Sequence, residues 1–203
     1  MNSSATLTDA QAVPTNTEPS RCARAAEQVH YFFIEMSAGQ SGLSGFTHVL
    51  ANCFRGGRLA IASYRCKRFW LLLLGRGHVI SLVWMWPIYT WCRLLGGRHE
   101  IVAQADFGPG LRLIHCSMAC VVTPFAVAGK NLYLTGGNVI GRRRKAGAPG
   151  DVRLGDDVML GIGAMIIGPI TIGDGARIGA GAVVVKNLPA GATVVSSPVR
   201  LLV

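Results

Sequence analysis

None of the six cysteines (Cys22, Cys53, Cys66, Cys92, Cys116 and Cys120) falls in a Cys-x-x-Cys pair, and the sequence has no zinc-finger spacing and no helix-turn-helix pattern. No secretory signal precedes the cysteines either, so reduced thiols in the cytoplasm are expected, with Cys116 and Cys120 reading as small core residues. Histidine is scarce where a metal would need it: His115 is the only one between Glu100 and Val203, too few for a His-rich zinc centre, and no metal is expected. Acidic residues number 10 against 20 Lys and Arg, a net charge of +10. Such a balance suits nucleic acid, anionic lipid or a polyphosphate cofactor. The cations are scattered except at Arg142 to Lys145 and no aromatic-studded basic stripe accompanies them, so nucleic acid is not expected. Long uncharged runs are also missing. Phe69 to Leu95 is mostly apolar, but Arg76 interrupts it, and the run from Gly77 to Cys92 falls short of the roughly 18 to 20 residues that a membrane span needs.

A period of six is what the sequence does have. Leu154, Leu160, Ile166, Ile172, Ile178 and Val184 are evenly spaced, and two positions before each stands a small or branched residue: Val152, Val158, Ala164, Ile170, Ala176 and Ala182. This spacing fits neither a helical turn nor a long alternating strand. It fits a coil of short parallel strands in which every sixth side chain enters a central column, and such coils bury that column only by stacking. The frame continues upstream through Val122, Ala128, Leu134 and Ile140, and again through Ile101, Phe107 and Leu113. Two breaks interrupt it, one around His115 and Cys116 and one at the basic loop Arg142 to Lys145. Insertions in repeat proteins map to loops on one face, often the binding face, so the chemistry is sought there.

Before the repeats the expected organisation is a disordered tail over residues 1–20 and a helical region over 21–98, followed by the β-helix over 99–203. Helices are expected over Arg21 to about Ser37, Phe46 to Arg55, Leu59 to Leu74, where Arg65, Lys67 and Arg68 make a basic beginning, and Val79 to Leu95, which carries Trp84, Trp86 and Trp91. The Trp-rich, Arg-flanked segment fits either peripheral contact with a membrane or packing inside the protein.

Five stretches, Gly110-Leu-Arg-Leu-Ile-His115, Val121-Val-Thr-Pro-Phe-Ala, Gly137-Asn-Val-Ile-Gly141, Leu154 to Gly168 and Ile178 to Lys186, resemble the hexapeptide-repeat acyltransferases, in the serine O-acetyltransferase-like branch that includes O-acetyltransferases of capsule, exopolysaccharide and colanic acid synthesis. The resemblance implies a mainly β left-handed parallel β-helix after a short α-helical region, a homotrimer, and acetyl-CoA bound as acyl donor along the groove between subunits. It covers about half of the chain strongly.

Transfer of an acetyl group from a thioester to an alcohol needs a base for the hydroxyl proton, and neutral imidazole suits that near pH 7. His115 is the candidate base, with Glu100, where the family usually has Asp, as the carboxylate that orients it. Asp151 stands where serine-type members carry a second His; it is either an acceptor-binding residue or simply a loop residue opening the next coil. Backbone N–H groups near Gly141 and Arg142 are the alternative oxyanion donors. Gly161, Gly163, Ala164, Gly179 and Ala180 would admit the pantetheine arm, while Arg142, its neighbours Arg143 to Lys145 and Lys186 would meet phosphates. The basic loop could equally be solvated. Ile114 and Gly150 replace the charged residues by which serine enzymes of the family hold their substrate, which favours a sugar hydroxyl of surface polysaccharide synthesis as acceptor, with cytoplasmic action at the inner membrane face. L-Serine, or a non-catalytic scaffold role, are the alternatives.

Overall fold

The computed structural model describes residues 20–37, 56–75, 80, 83–95, 99–115, 117–143 and 147–196. The expected tail, the helix over Phe46 to Arg55, and Cys116, Arg144 and Lys145 lie outside the described residues.

From Glu100 onward each of the first four turns of chain lays down three short strands, and the fifth lays down two. The first coil is β1 (Glu100–Ile101), β2 (Asp106–Phe107) and β3 (Arg112–Leu113), and the second is β4 (Val121–Val122), β5 (Ala126–Ala128) and β6 (Tyr133–Leu134). The third holds β7 (Val139–Arg142), β8 (Val152–Leu154) and β9 (Met159–Leu160), the fourth β10 (Met165–Gly168), β11 (Ile170–Ile172) and β12 (Arg177–Ile178), and the fifth β13 (Val183–Val184) and β14 (Thr193–Val194). Corresponding strands pair in parallel into three faces: sheet A (β1-β4-β7-β10-β13), sheet B (β2-β5-β8-β11) and sheet C (β3-β6-β9-β12-β14). Every residue of the column spaced by six, from Ile101 to Val184, is buried. This is the stacked coil of short parallel strands that the periodicity predicts, and the left-handed parallel β-helix that the resemblance implies.

The register also sorts the outer surfaces. On sheet A, Glu100, Val121, Val139, Met165 and Val183 stack in one outward row. Four of those five are apolar, whereas the corresponding row of sheet B is Asp106, Val127, Arg153 and Thr171.

Helix α1 (Arg21–Ser37) starts at Ser20, whose hydroxyl accepts the Ala23 N–H at 3.2 Å as an N-cap. Helix α2 (Gly56–Leu74) packs on α1 and on β3, and α3 (Trp86–Leu95) packs on α2. The last expected helix is interrupted by a turn at Met85: Ile80, Val83 and Trp84 are helical before it, and α3 opens at Trp86 with Pro87 in its first turn, where the missing N–H costs nothing. In α2 the expected basic beginning is instead mid-helix and turned inward. Parallel stacking leaves the carbonyls of the first coil with no coil beyond them, and buried carbonyls need donors. Arg65 supplies them to Phe107 (2.7 Å) and Gly108 (2.6 Å), and Arg68 to Ala105 (2.6 Å). The Tyr64 hydroxyl also donates to the Ala105 carbonyl, at 2.8 Å. Glu35 then neutralises Arg65 through two contacts of 2.6 and 3.0 Å, with both side chains about 1% exposed.

Candidate active site

His115 leaves β3 at the edge where sheet C turns into sheet A. Its N–H donates to the Thr135 carbonyl at 2.9 Å, its own carbonyl accepts from Met118, and the residue is exposed to solvent. Stacked along the same edge are Gly136 and Gly137 of the second coil, Gly161 and Gly163 of the third, and Gly179 and Ala180 of the fourth: Gly163 donates to Gly136, and Gly161 to Ile178. A Cβ at Gly136 would stand 3.2 Å from the His115 Cβ, so a glycine there leaves room for the imidazole's root. Gly161 is equally constrained, since a Cβ would meet the Ala180 nitrogen at 2.7 Å. At Gly163, by contrast, nothing stands within 4 Å of such a Cβ, so this edge is an open, side-chain-poor surface. Ala164 is buried one step inside it, and Ile162 is exposed.

Glu100 opens β1 on the same edge and is exposed. Its N–H donates to the Cys120 carbonyl at 2.8 Å, where the loop after His115 ends. The two residues thus share a corner through the backbone, but no hydrogen bond joins their side chains.

Asp151, Arg142 and Lys186 lie on a different edge, between sheets A and B. Arg142 Nη1 meets Asp151 Oδ2 at 3.0 Å, and its guanidinium lies over the Phe125 ring, 3.9 Å from the centroid. The Ala148 N–H also donates to Asp151, at 3.2 Å. The pair therefore closes the excursion between β7 and β8. Gly141 and Arg142, considered above as oxyanion donors, sit within β7 opposite Ile167 and Gly168 of β10. Lys186 is exposed just beyond β13.

A row of polar groups behind the His115 edge is not anticipated by the hexad reading. His99, Cys120 and Asn138 occupy the position two before the column residue, where the later coils place Ala164 and Ala182. His99 Nδ1 accepts the Cys120 N–H at 3.1 Å. Asn138 accepts from the Gly136 N–H at 3.0 Å and donates to the Gly161 carbonyl at 2.7 Å, pinning the glycine edge from inside. Burial depresses the His99 pKa and raises that of the Cys120 thiol, so both are neutral near pH 7. The signal available in the sequence was a polar residue at a small-residue position.

A cleft of about 530 Å³ between α1, α2 and the first coil reaches Ile114, the residue before His115, with Glu35, Arg58, Leu111 and Asn131 among its walls. Among the described residues no cluster of His, Cys, Asp or Glu could hold a metal ion, and no helix is long and apolar enough to cross a membrane.

Residues 151–186 match the family described as bacterial transferase hexapeptide (six repeats). Over 103 residues the chain is 41% identical to chloroplastic serine acetyltransferase 1 of Arabidopsis thaliana, an alignment covering 51% of this chain and 32% of that protein. The crystal structure of the Neisseria gonorrhoeae serine acetyltransferase superposes with a TM-score of 0.61 at 28% identity, covering 89% of this chain and 66% of that one. The same enzyme in complex with serine gives 0.61 at 27% identity, covering 88% and 69%. The β-helix thus carries hexapeptide repeats over residues 151–186 and is similar to the corresponding domain of serine acetyltransferases. The chain spans about a third of the length of the Arabidopsis relative.

Proposed function

We propose that the protein is an acetyl-CoA-dependent O-acetyltransferase with His115 as general base. The observation that carries this reading is the exposed His115 at the head of an open glycine edge, in a β-helix similar to serine acetyltransferases. The imidazole takes the proton of an acceptor hydroxyl as the oxygen attacks the thioester carbonyl, and Glu100, once its carboxylate swings to the ring, orients the base and stabilises its charged form. The pantetheine arm lies along Gly161, Gly163, Gly179 and Ala180, while the expected contact at Ala164 is ruled out because its methyl is fully buried in the coil; Lys186 meets phosphate. Arg142 would do so only by giving up Asp151, and is better placed to hold the loop.

The edge with His115 and the edge with Arg142, Asp151 and Lys186 are separated on one chain by the width of sheet A. A trimer that packs the apolar outer row of sheet A brings one copy's glycine edge toward a neighbour's cations, which supports the homotrimer. Cys22, Cys66 and Cys120 are thiols, in keeping with a reducing, cytoplasmic setting.

L-Serine becomes the first acceptor to test, because the relatives are serine acetyltransferases. A sugar hydroxyl is the second reading, favoured by the exposed, uncharged Ile114 beside the base and by the neutralised Asp151. Purified protein and acetyl-CoA are offered L-serine or a panel of sugars and lipid-linked oligosaccharides, with free CoA thiol as the readout. Turnover with L-serine alone establishes the first reading, and turnover with sugars alone the second. No turnover with any acceptor, together with no heat of acetyl-CoA binding, would leave the β-helix a scaffold.

A further inference from the structure

The helical region carries a surface that the acetyl-transfer chemistry does not use. In and just before α3, Val83, Trp84, Trp86, Ile88, Trp91 and Leu94 are between 54% and 80% exposed, while Tyr89, alone among the described side chains of this stretch, is buried against α2. Its hydroxyl meets Cys66 Sγ, and the Lys67 ammonium sits 5.2 Å from its ring centroid. The helix is therefore held by one face and offers the other, with three of the protein's four tryptophans on it.

The sequence around it is one-sided in charge. Between Glu35 and Glu100 there is no Asp or Glu, while the stretch carries seven Arg and one Lys. Arg65 and Arg68 are taken up by the first coil, Glu35 and Asp106, and Lys67 lies against Tyr89 beside α3. Exposed tryptophans amid an acid-free, cationic segment match the chemistry of a lipid headgroup layer, where indole rings settle at the interface and anionic headgroups answer the cations. A second copy is the poorer occupant, because two such acid-free surfaces repel. The face is also too short to cross the bilayer, as no described helix can do so.

We propose that the exposed face of α3 docks the protein onto the surface of an anionic lipid membrane, lying in the interface without crossing it. The proposal stands on the helical region alone and holds whichever acceptor, or none, the β-helix uses.

Full-length protein is sedimented with vesicles of phosphatidylcholine alone or of phosphatidylcholine with phosphatidylglycerol. Binding is expected to the mixed vesicles only, with a blue shift of tryptophan emission, and to weaken as NaCl rises from about 50 to about 500 mM and the screening length shrinks. The triple variant Trp84→Ala, Trp86→Ala, Trp91→Ala alters exposed side chains, so it should retain the wild-type melting profile and CoA release while losing vesicle affinity on the order of 10²-fold. Absence of binding to anionic vesicles, or undiminished binding by the folded triple variant, overturns the proposal. Vesicle-independent dimerisation that the triple variant abolishes would assign the face to a second copy instead.

Discussion

Arg142 and Asp151 stand nine residues apart at the two ends of the excursion between β7 and β8, and are joined at 3.0 Å with the guanidinium 93% shielded and stacked on Phe125. A basic loop that reads in sequence as a set of free cations is thus anchored at its first member by an internal carboxylate. Breaking a largely buried pair from one side leaves the other charge uncompensated. Asp151→Asn should lower stability by about 1 to 3 kcal/mol, below the fully buried range because Asp151 keeps some solvent contact. Arg142→Ala in the Asp151→Asn background should cost little more, and urea titration of the two single variants and the double variant measures the coupling. Strict additivity would mean that the pair is not formed in solution.

The Arg65 and Glu35 pair is more deeply enclosed, so Arg65→Met should cost more than about 3 kcal/mol by stranding both Glu35 and the carbonyls of Phe107 and Gly108. Adding Glu35→Gln should restore part of the loss, as read by thermal unfolding. A cost below about 1 kcal/mol would place Arg65 in solvent.

For the reaction, His115→Ala is expected to reduce kcat roughly 10² to 10⁴-fold with acetyl-CoA affinity unchanged, and Glu100→Gln to reduce it less. The double variant should resemble His115→Ala alone, since the carboxylate acts only through the imidazole. A Glu100→Gln loss that persists in full without His115 would give the carboxylate a separate role.

His99 predicts a pH dependence of stability. Burial lowers its native pKa, whereas the unfolded chain restores an ordinary value of about 6.5. The unfolded state therefore binds more protons as pH falls through about 6.5, so stability is full above that value and declines below it. His99→Gln retains an acceptor for the Cys120 N–H without titrating. Its urea midpoint should fall less than the wild type's between about pH 8 and pH 5, and equal falls would assign the effect to other groups.

What the sequence made legible was whatever repeats. Thirteen column positions from Ile101 to Val184 follow from spacing alone because each coil imposes the same requirement, and His115 is conspicuous because it stands in a break of that pattern. Arg21 to Ser37 is a helix as expected. The contacts that are paired only once were not legible. Arg65 reaches Glu35 and Phe107 across 30 and 42 residues of chain, and no local pattern distinguishes it from the surface cation that it resembles. In the inward row Cys120 is the small core residue expected, whereas His99 and Asn138 break the small-residue rule in a way that only the stacked coils turn into hydrogen bonds.

The carbonyls of the first coil are, chemically, an unfinished ladder ready to template another layer, and a second β-helix of the same register would fit them. Arg65, Arg68 and Tyr64 occupy the acceptors that such a layer would use. The helical region thus acts as a chain terminator for end-to-end polymerisation at this pole. Exposure of the bare coil by loss of α2 would therefore convert a discrete particle into a nucleus for filament growth.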